Sequence, residues 1–150
     1  MMRAVIQRVK NAKLMVDNNL VSEIGVGFLI FLGIKNGDNE DDLVKLGKKI
    51  SGLRIFEDEN EKMNLALSDV GGEILLVSQF TLYADCCHGN RPSFTCAEKP
   101  ERANQLYLKM VDYLKKEGRI VKTGIFGADM QIEAHNDGPV TIIIDSAQLK

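Results

Sequence analysis

Cysteine is scarce in this chain and badly placed for cross-linking: Cys86, Cys87 and Cys96 form an odd set, two of them adjacent. That argues against a disulfide framework and for reduced thiols in a reducing compartment. Long hydrophobic runs are missing as well. The longest apolar stretch, Val26 to Ile34, is broken by Gly27 and Gly33 and falls far short of the roughly 20 residues that cross a bilayer. The opening residues Met1 to Val9 alternate like a strand and lack the apolar centre of a secretory signal, so no membrane contact and a cytoplasmic location are expected. Charge of one sign is not in excess either. Nineteen basic residues stand against 21 acidic ones, a formal charge of -2, which argues against a protein that coats nucleic acid through its bulk field.

Histidine is limited to His88 and His135, and with it go the His-based metal motifs. No phosphate-binding loop of the Walker type and no dinucleotide fingerprint occurs, so no cofactor is called for. Cys86, Cys87, His88 and Cys96 invite comparison with a zinc site. Adjacent cysteines rarely reach one tetrahedral ion together, however, and the usual two-residue spacers are absent. A Cys-His nucleophilic pair in the same loop lacks a third orienting group. Proline-rich linkers, repeats and low-complexity tracts are also missing.

What is present fits one soluble globular domain over residues 1–150, with 45% hydrophobic and 27% charged residues and enough length for a real core. Short strands are expected at Arg3 to Val9, Lys13 to Val16 and Leu20 to Ile24, with a turn at Asp17-Asn18-Asn19. A strand buried on both faces is expected over Gly27 to Ile34. A helix follows, capped by Asn39 or Asp38, with Leu43, Leu46, Ile50 and Leu53 on one face. Glu57 to Lys62 reads as an exposed loop, and Glu73 to about Phe80 as a strand. The clearest helix carries Ala103, Leu106, Tyr107, Met110, Val111 and Leu114 at helical spacing, between Pro100 and Gly118. Two closing strands, Met130 to Ala134 and Val140 to Asp145, flank a turn at Asn136-Asp137-Gly138-Pro139. The fold class is therefore α/β, a mixed and partly barrel-like sheet packed with two main helices. Between Lys99 and Lys122 basic residues outnumber acidic ones, compatible with a small face that touches a few phosphates or with a solvated mixed-charge surface.

Two segments stand out. Ser78-Gln79-Phe80-Thr81-Leu82-Tyr83 ends a buried strand with three polar side chains among apolar ones, and Asn136-Asp137-Gly138-Pro139-Val140-Thr141 runs from Gly-Pro straight into a strand. Both resemble the two signature motifs of the D-aminoacyl-tRNA deacylases. Arg3 to Val9, Gly89-Asn90-Arg91-Pro92-Ser93-Phe94 and Thr123 to Met130 resemble the same family in order and spacing, so the likeness covers essentially residues 2 to 150. One departure is Cys86-Cys87-His88, where relatives often carry basic residues.

The resemblance implies hydrolysis of the ester of a D-aminoacyl-tRNA, and of Gly-tRNA mischarged on a non-cognate tRNA, by a cofactor-free and metal-independent homodimer. In that picture Ser78, Gln79 and the backbone near Phe80 orient the ester, while Thr81 is either a nucleophile or a positioning group. Gly138 and Pro139, joined by a cis peptide and steadied by Arg8, point their carbonyls into the partner's pocket; the plain reading is an Asp-Gly-Pro turn. Phe126 and Met130 line the pocket of the 3′-terminal adenosine, or are simply core. The alternatives kept open are a relative that edits small or achiral aminoacyl groups and a noncatalytic tRNA- or DNA-binding module of the same fold.

Overall fold

Apolar alternation carries the first strand further than its charged middle suggests. In the computed structural model, which describes residues 1–150, β1 runs unbroken over Arg3–Val16 where two strands were expected. Lys10 and Asn11 are exposed, but the ladder continues past them because the chain's last strand pairs with β1 along nearly its whole length. Shifts of register at Arg8 and Lys10 change which side chains point inward. Ala4 and Ile6 therefore join one core, and Val9, Ala12 and Leu14 another.

Asp17 and Asn18, both at positive φ, reverse the chain into β2 (Asn19–Ile24). After β3 (Gly27–Gly33) comes helix α1 (Glu40–Gly52). Asn39 is its cap: Asp42 N donates to Asn39 Oδ1 at 3.2 Å, and Asn39 N donates to Asp42 Oδ2 at 3.1 Å, which satisfies two otherwise free amide groups. Leu43, Leu46 and Ile50 are buried as the spacing predicts, whereas Leu53 lies just past the helix as its C-cap.

The expected loop at Glu57 to Lys62 is the tip of a small hairpin, β4 (Phe56–Glu57) with β5 (Met63–Leu65). Asp58 organises the tip by accepting from the amides of Asn60 and Lys62 at 2.8 and 3.1 Å. Helix α2 (Leu67–Val70) was not expected. Strand β6 (Glu73–Ser78) stops before Phe80, since Phe80–Tyr83 tighten into a 3-10 turn. Helix α3 (Pro100–Lys116) buries the six predicted residues, and β7 (Ile120–Thr123) is a strand the sequence did not reveal.

Strand β8 (Gln131–Asp145) corrects another expectation. There is no hairpin at Asn136 to Pro139: residues 131–136 pair with Met15 to Val9 and residues 141–145 with Gln7 to Arg3, so both arms run along β1 in one direction. Between them, 137–140 stand opposite the single residue Arg8 and are extruded from the ladder, as extra residues in a bulge must be.

The main path is β2-β1-β3-β6-β7, with β8 on the other side of β1. The pairs β3·β6 and β6·β7 are parallel. Ser22 Oγ donates to the carbonyl of Thr123, and Lys122 Nζ donates to that of Glu23 at 2.8 Å. These bonds draw β2 towards β7 and curl the sheet into a nearly closed barrel. Helices α1 and α3 cover its outer face through Phe28, Ile30, Leu32, Ile74 and Leu76; Leu29, Leu75 and Val77 turn inward. No helix is long and apolar enough to cross a membrane.

Candidate active site

Parallel strands leave a crevice beyond their carboxyl ends, where the connections diverge. Here β3 and β6 end at Gly33 and Ser78, and beyond them opens a cleft of about 830 Å³, within the usual range for a small-molecule site. The structure brings Ser78, Gln79, Phe80, Thr81, Phe126 and Met130 together in its lining.

Local bonding explains why the Ser78 to Thr81 segment faces the cleft. Gln79 N donates to Leu32 O at 2.8 Å, the last link of β6 to β3, and the chain then tightens so that Ala84 N donates to Thr81 O at 3.1 Å. Tyr83 is buried and packs where Gly33 has no side chain; a Cβ there would lie 2.9 Å from Leu82 Cβ. With Tyr83 anchored inward, Phe80 and Thr81 are left outward. Phe80 is 57% exposed and meets Phe94 edge-on with ring centroids 5.1 Å apart. Gln79 Nε2 donates to Thr81 Oγ1 at 2.9 Å, which leaves the Thr81 hydroxyl hydrogen free for another acceptor.

Phe126 and Met130 do not divide between cleft and core. Each lines the cleft and each packs on a core, Phe126 on the outer one and Met130 on the inner one. Phe126 lies 6.3 Å from the Tyr107 ring. Tyr107 in turn donates its hydroxyl to Leu76 O at 2.7 Å, and burial pushes its pKa up to about 12. Phe94, Glu98 and Lys99 also line the cleft; from sequence Phe94 was only part of a resembling block and Lys99 only the start of a basic stretch, and none of the three was a site candidate. Phe94, an aromatic at the end of the loop Gly89 to Phe94, was the one available signal.

Gly138 and Pro139 do not line this cleft. They form a cis peptide at the extruded part of β8, and both are exposed. Arg8, 4% exposed, lies directly beneath: Nε donates to Asp137 O at 3.1 Å and Nη1 to Ile55 O at 2.7 Å, with Asp137 Oδ2 3.5 Å from Nε. A Cβ on Gly138 would approach Arg8 Nη2 to 3.1 Å and Val140 Cγ2 to 2.8 Å. Within the chain, then, Arg8 fixes the base of the Gly-Pro projection.

Cys86, Cys87 and Cys96 are free and exposed, and no three His, Cys, Asp or Glu side chains are grouped to hold a metal ion. The Asp85 carboxylate accepts from Cys87 N at 2.9 Å, which holds it below the usual carboxylate range, and it pushes the Cys87 thiol up. A thiol so placed is less ionised than a free one, the reverse of an activated nucleophile.

A family model described as D-Tyr-tRNA(Tyr) deacylase matches residues 5–145. The chain belongs to this family. It is 56% identical to a D-aminoacyl-tRNA deacylase of Dictyoglomus turgidum, with 99% of this chain and 96% of that one aligned. It is 55% identical to that of Aquifex aeolicus, over 99% of this chain and the whole of the other. Among solved structures, a c-Myc DNA Unwinding Element Binding Protein superposes with a TM-score of 0.90 at 41% identity, covering 95% and 97% of the two chains. A probable eukaryotic D-amino acid tRNA deacylase superposes at 0.79 with 18% identity, over 96% and 98%, a likeness of fold alone. The family membership places the cleft in a chain whose relatives carry the name of an ester hydrolase. Its polar groups can donate to an oxyanion or orient a carbonyl; none of the histidines lines it.

Proposed function

We propose that this chain hydrolyses the ester between a D-amino acid and the 3′-terminal adenosine of tRNA, as a homodimer in which Gly138 and Pro139 of one protomer enter the partner's cleft. The observation that carries the reading is a division of labour. The cleft is lined by Ser78, Gln79 and Thr81 and by Phe126 and Met130, while the Gly-Pro projection, based on Arg8, is exposed and outside that lining. Family membership supports the reaction, and the exposure of the projection supports the cross-subunit arrangement.

The chemistry suits these residues. An aminoacyl ester is already labile, so positioning and hydrogen bonds to the developing oxyanion suffice. Ser78, Gln79 and the amides around Phe80 and Thr81 hold the carbonyl, the adenosine's own 2′-hydroxyl assists water, and Phe126 and Met130 take the adenine, which tolerates stacking and thioether contact. Carbonyls of the partner's Gly-Pro segment grip the α-amino group and leave no room for an L side chain, a rejection by clash. Glycine has no side chain to clash, so Gly-tRNA is hydrolysed too. A tRNA substrate fits a cytoplasmic location.

The test is to follow ester loss from D-Tyr-tRNA, L-Tyr-tRNA and Gly-tRNA with the purified protein. D-Tyr-tRNA and Gly-tRNA are cleaved and L-Tyr-tRNA is spared. Equal rates on the two tyrosyl esters reject the chiral reading, and tRNA binding with no turnover on any ester favours a noncatalytic binding module.

A further inference from the structure

Of the side chains that line the cleft, one is a lysine and none an arginine: Lys99. It is exposed and takes part in none of the chain's ion pairs. Its neighbour Glu98, also in the lining, forms no ion pair with it. The Glu98 carboxylate accepts instead from the backbone amides of Lys99 at 2.9 Å and Gly37 at 3.4 Å.

The backbone beneath Lys99 is fixed from both sides. Glu98 N donates to Ile34 O at 2.9 Å, and Ala103 N donates to Lys99 O at 2.9 Å. Lys99 therefore stands one helical turn, ~5.4 Å of rise, before Ala103, which lines the same cleft as Phe126. An ammonium without an ion-pair partner in the same cleft lining as Phe126 and Met130 suits an anion, and the anionic groups of a tRNA 3′ end are its phosphates. Within the cleft nothing else attracts them: its lining holds no other lysine or arginine and includes Asp129, and Cys86, Cys87 and His88 bring neither residue type to the neighbouring loop.

We propose that Lys99 binds the phosphate joining the terminal adenosine to the nucleotide before it, and so distinguishes an adenosine at the end of a nucleic acid from a free aminoacyl nucleoside. The inference rests on the hydrolase reading above and adds a phosphate subsite to it.

Three D-tyrosyl esters separate the outcomes: D-Tyr-tRNA, 2′(3′)-O-D-tyrosyl-adenosine, and the same ester of adenosine 5′-phosphate. Lys99→Ala and Lys99→Glu raise KM about tenfold on the two phosphate-bearing esters, the loss expected for one charge-assisted contact, with kcat unchanged. The deficit vanishes on the phosphate-free ester, and Lys99→Arg restores KM. The log-log dependence of tRNA binding on salt also flattens by about 0.7, the release expected from one single-strand phosphate. An unchanged KM on D-Tyr-tRNA, or an equal loss on all three esters, overturns the phosphate subsite alone. A wild-type protein that cleaves none of the three sinks the hydrolase reading and this inference together.

Discussion

Thr81 presents a hydroxyl at the mouth of the cleft, and a hydroxyl in that place suggests a nucleophile. A threonine attacks an ester only when a neighbouring base accepts its proton. The partner that Thr81 has is the Gln79 amide, which donates to its oxygen at 2.9 Å and accepts nothing in return. Lys99 shares the cleft but makes no hydrogen bond with Thr81. The hydroxyl hydrogen is thus free for another acceptor, and in the proposed reaction that acceptor is a substrate oxygen, one neutral hydrogen bond worth roughly 0.5–1.5 kcal/mol net. Thr81→Ala is therefore expected to lower kcat on D-Tyr-tRNA by about tenfold or less. A fall of a thousandfold or more with KM unchanged, in single-turnover measurements, makes Thr81 the nucleophile after all. Arg8 shows the limit of reading single residues from sequence. Its burial follows from an alternating strand that puts Ala4, Ile6 and Arg8 on one face, but its partners, Ile55 O and Asp137 O, lie 47 and 129 residues away and are brought to it by folding alone.

Among the elements, the two main helices were legible because their signal is local. A capping residue, a 3.6-residue period and a terminal glycine or proline all lie within the segment they define, and α1 and α3 follow them closely. The long strands were not, since what keeps β1 and β8 continuous is each other. Lys10-Asn11 and Asn136 to Pro139 carry the polar and Gly-Pro composition that ends strands, and only the opposite strand's hydrogen bonds override it. Strand β7 was hidden for a related reason: Val121 is its one buried residue, so it has no alternating pattern to detect. The site divides in the same way. Ser78 to Thr81 could be read as polar groups ending an apolar strand, whereas Phe94 and Lys99 reach the cleft through a long loop. The joint between β3 and β6, the strands that carry the cleft at their far ends, is testable at Gly27, where β3 begins beside β6. A Cβ at Gly27 would stand 1.8 Å from the carbonyl oxygen of Glu73, a backbone atom that cannot swing aside. Gly27→Ala has to push β6 away from β3, and it is expected to cost about 3 kcal/mol or more, at the severe end for a point substitution. Urea unfolding measures this, and a loss under 1 kcal/mol shows that the joint yields.

At the scale of the whole molecule, what matters is where a working site is assembled. One chain supplies the cleft, while its own Gly138 and Pro139 project outward from a strand whose outer face leaves Ile143 63% exposed. If a second copy completes the site, two different defects become complementary. A chain with Ser78, Gln79 and Thr81 replaced by alanine keeps a sound projection but has a dead cleft. A chain lacking Gly138 and Pro139 keeps a sound cleft but has nothing to grip the amino group. Each homodimer is then inactive on D-Tyr-tRNA. When the two are unfolded together and refolded in equal amounts, random pairing makes about half the dimers mixed. Every mixed twofold dimer joins one good cleft to one good projection, so about a quarter of all sites regain activity. Mixing without exchange of subunits, the control, restores none. If the projection served its own chain's cleft, or if the chain worked as a monomer, no combination of the two variants would recover turnover at any ratio, and sedimentation of the refolded mixture separates those two failures by showing whether dimers formed.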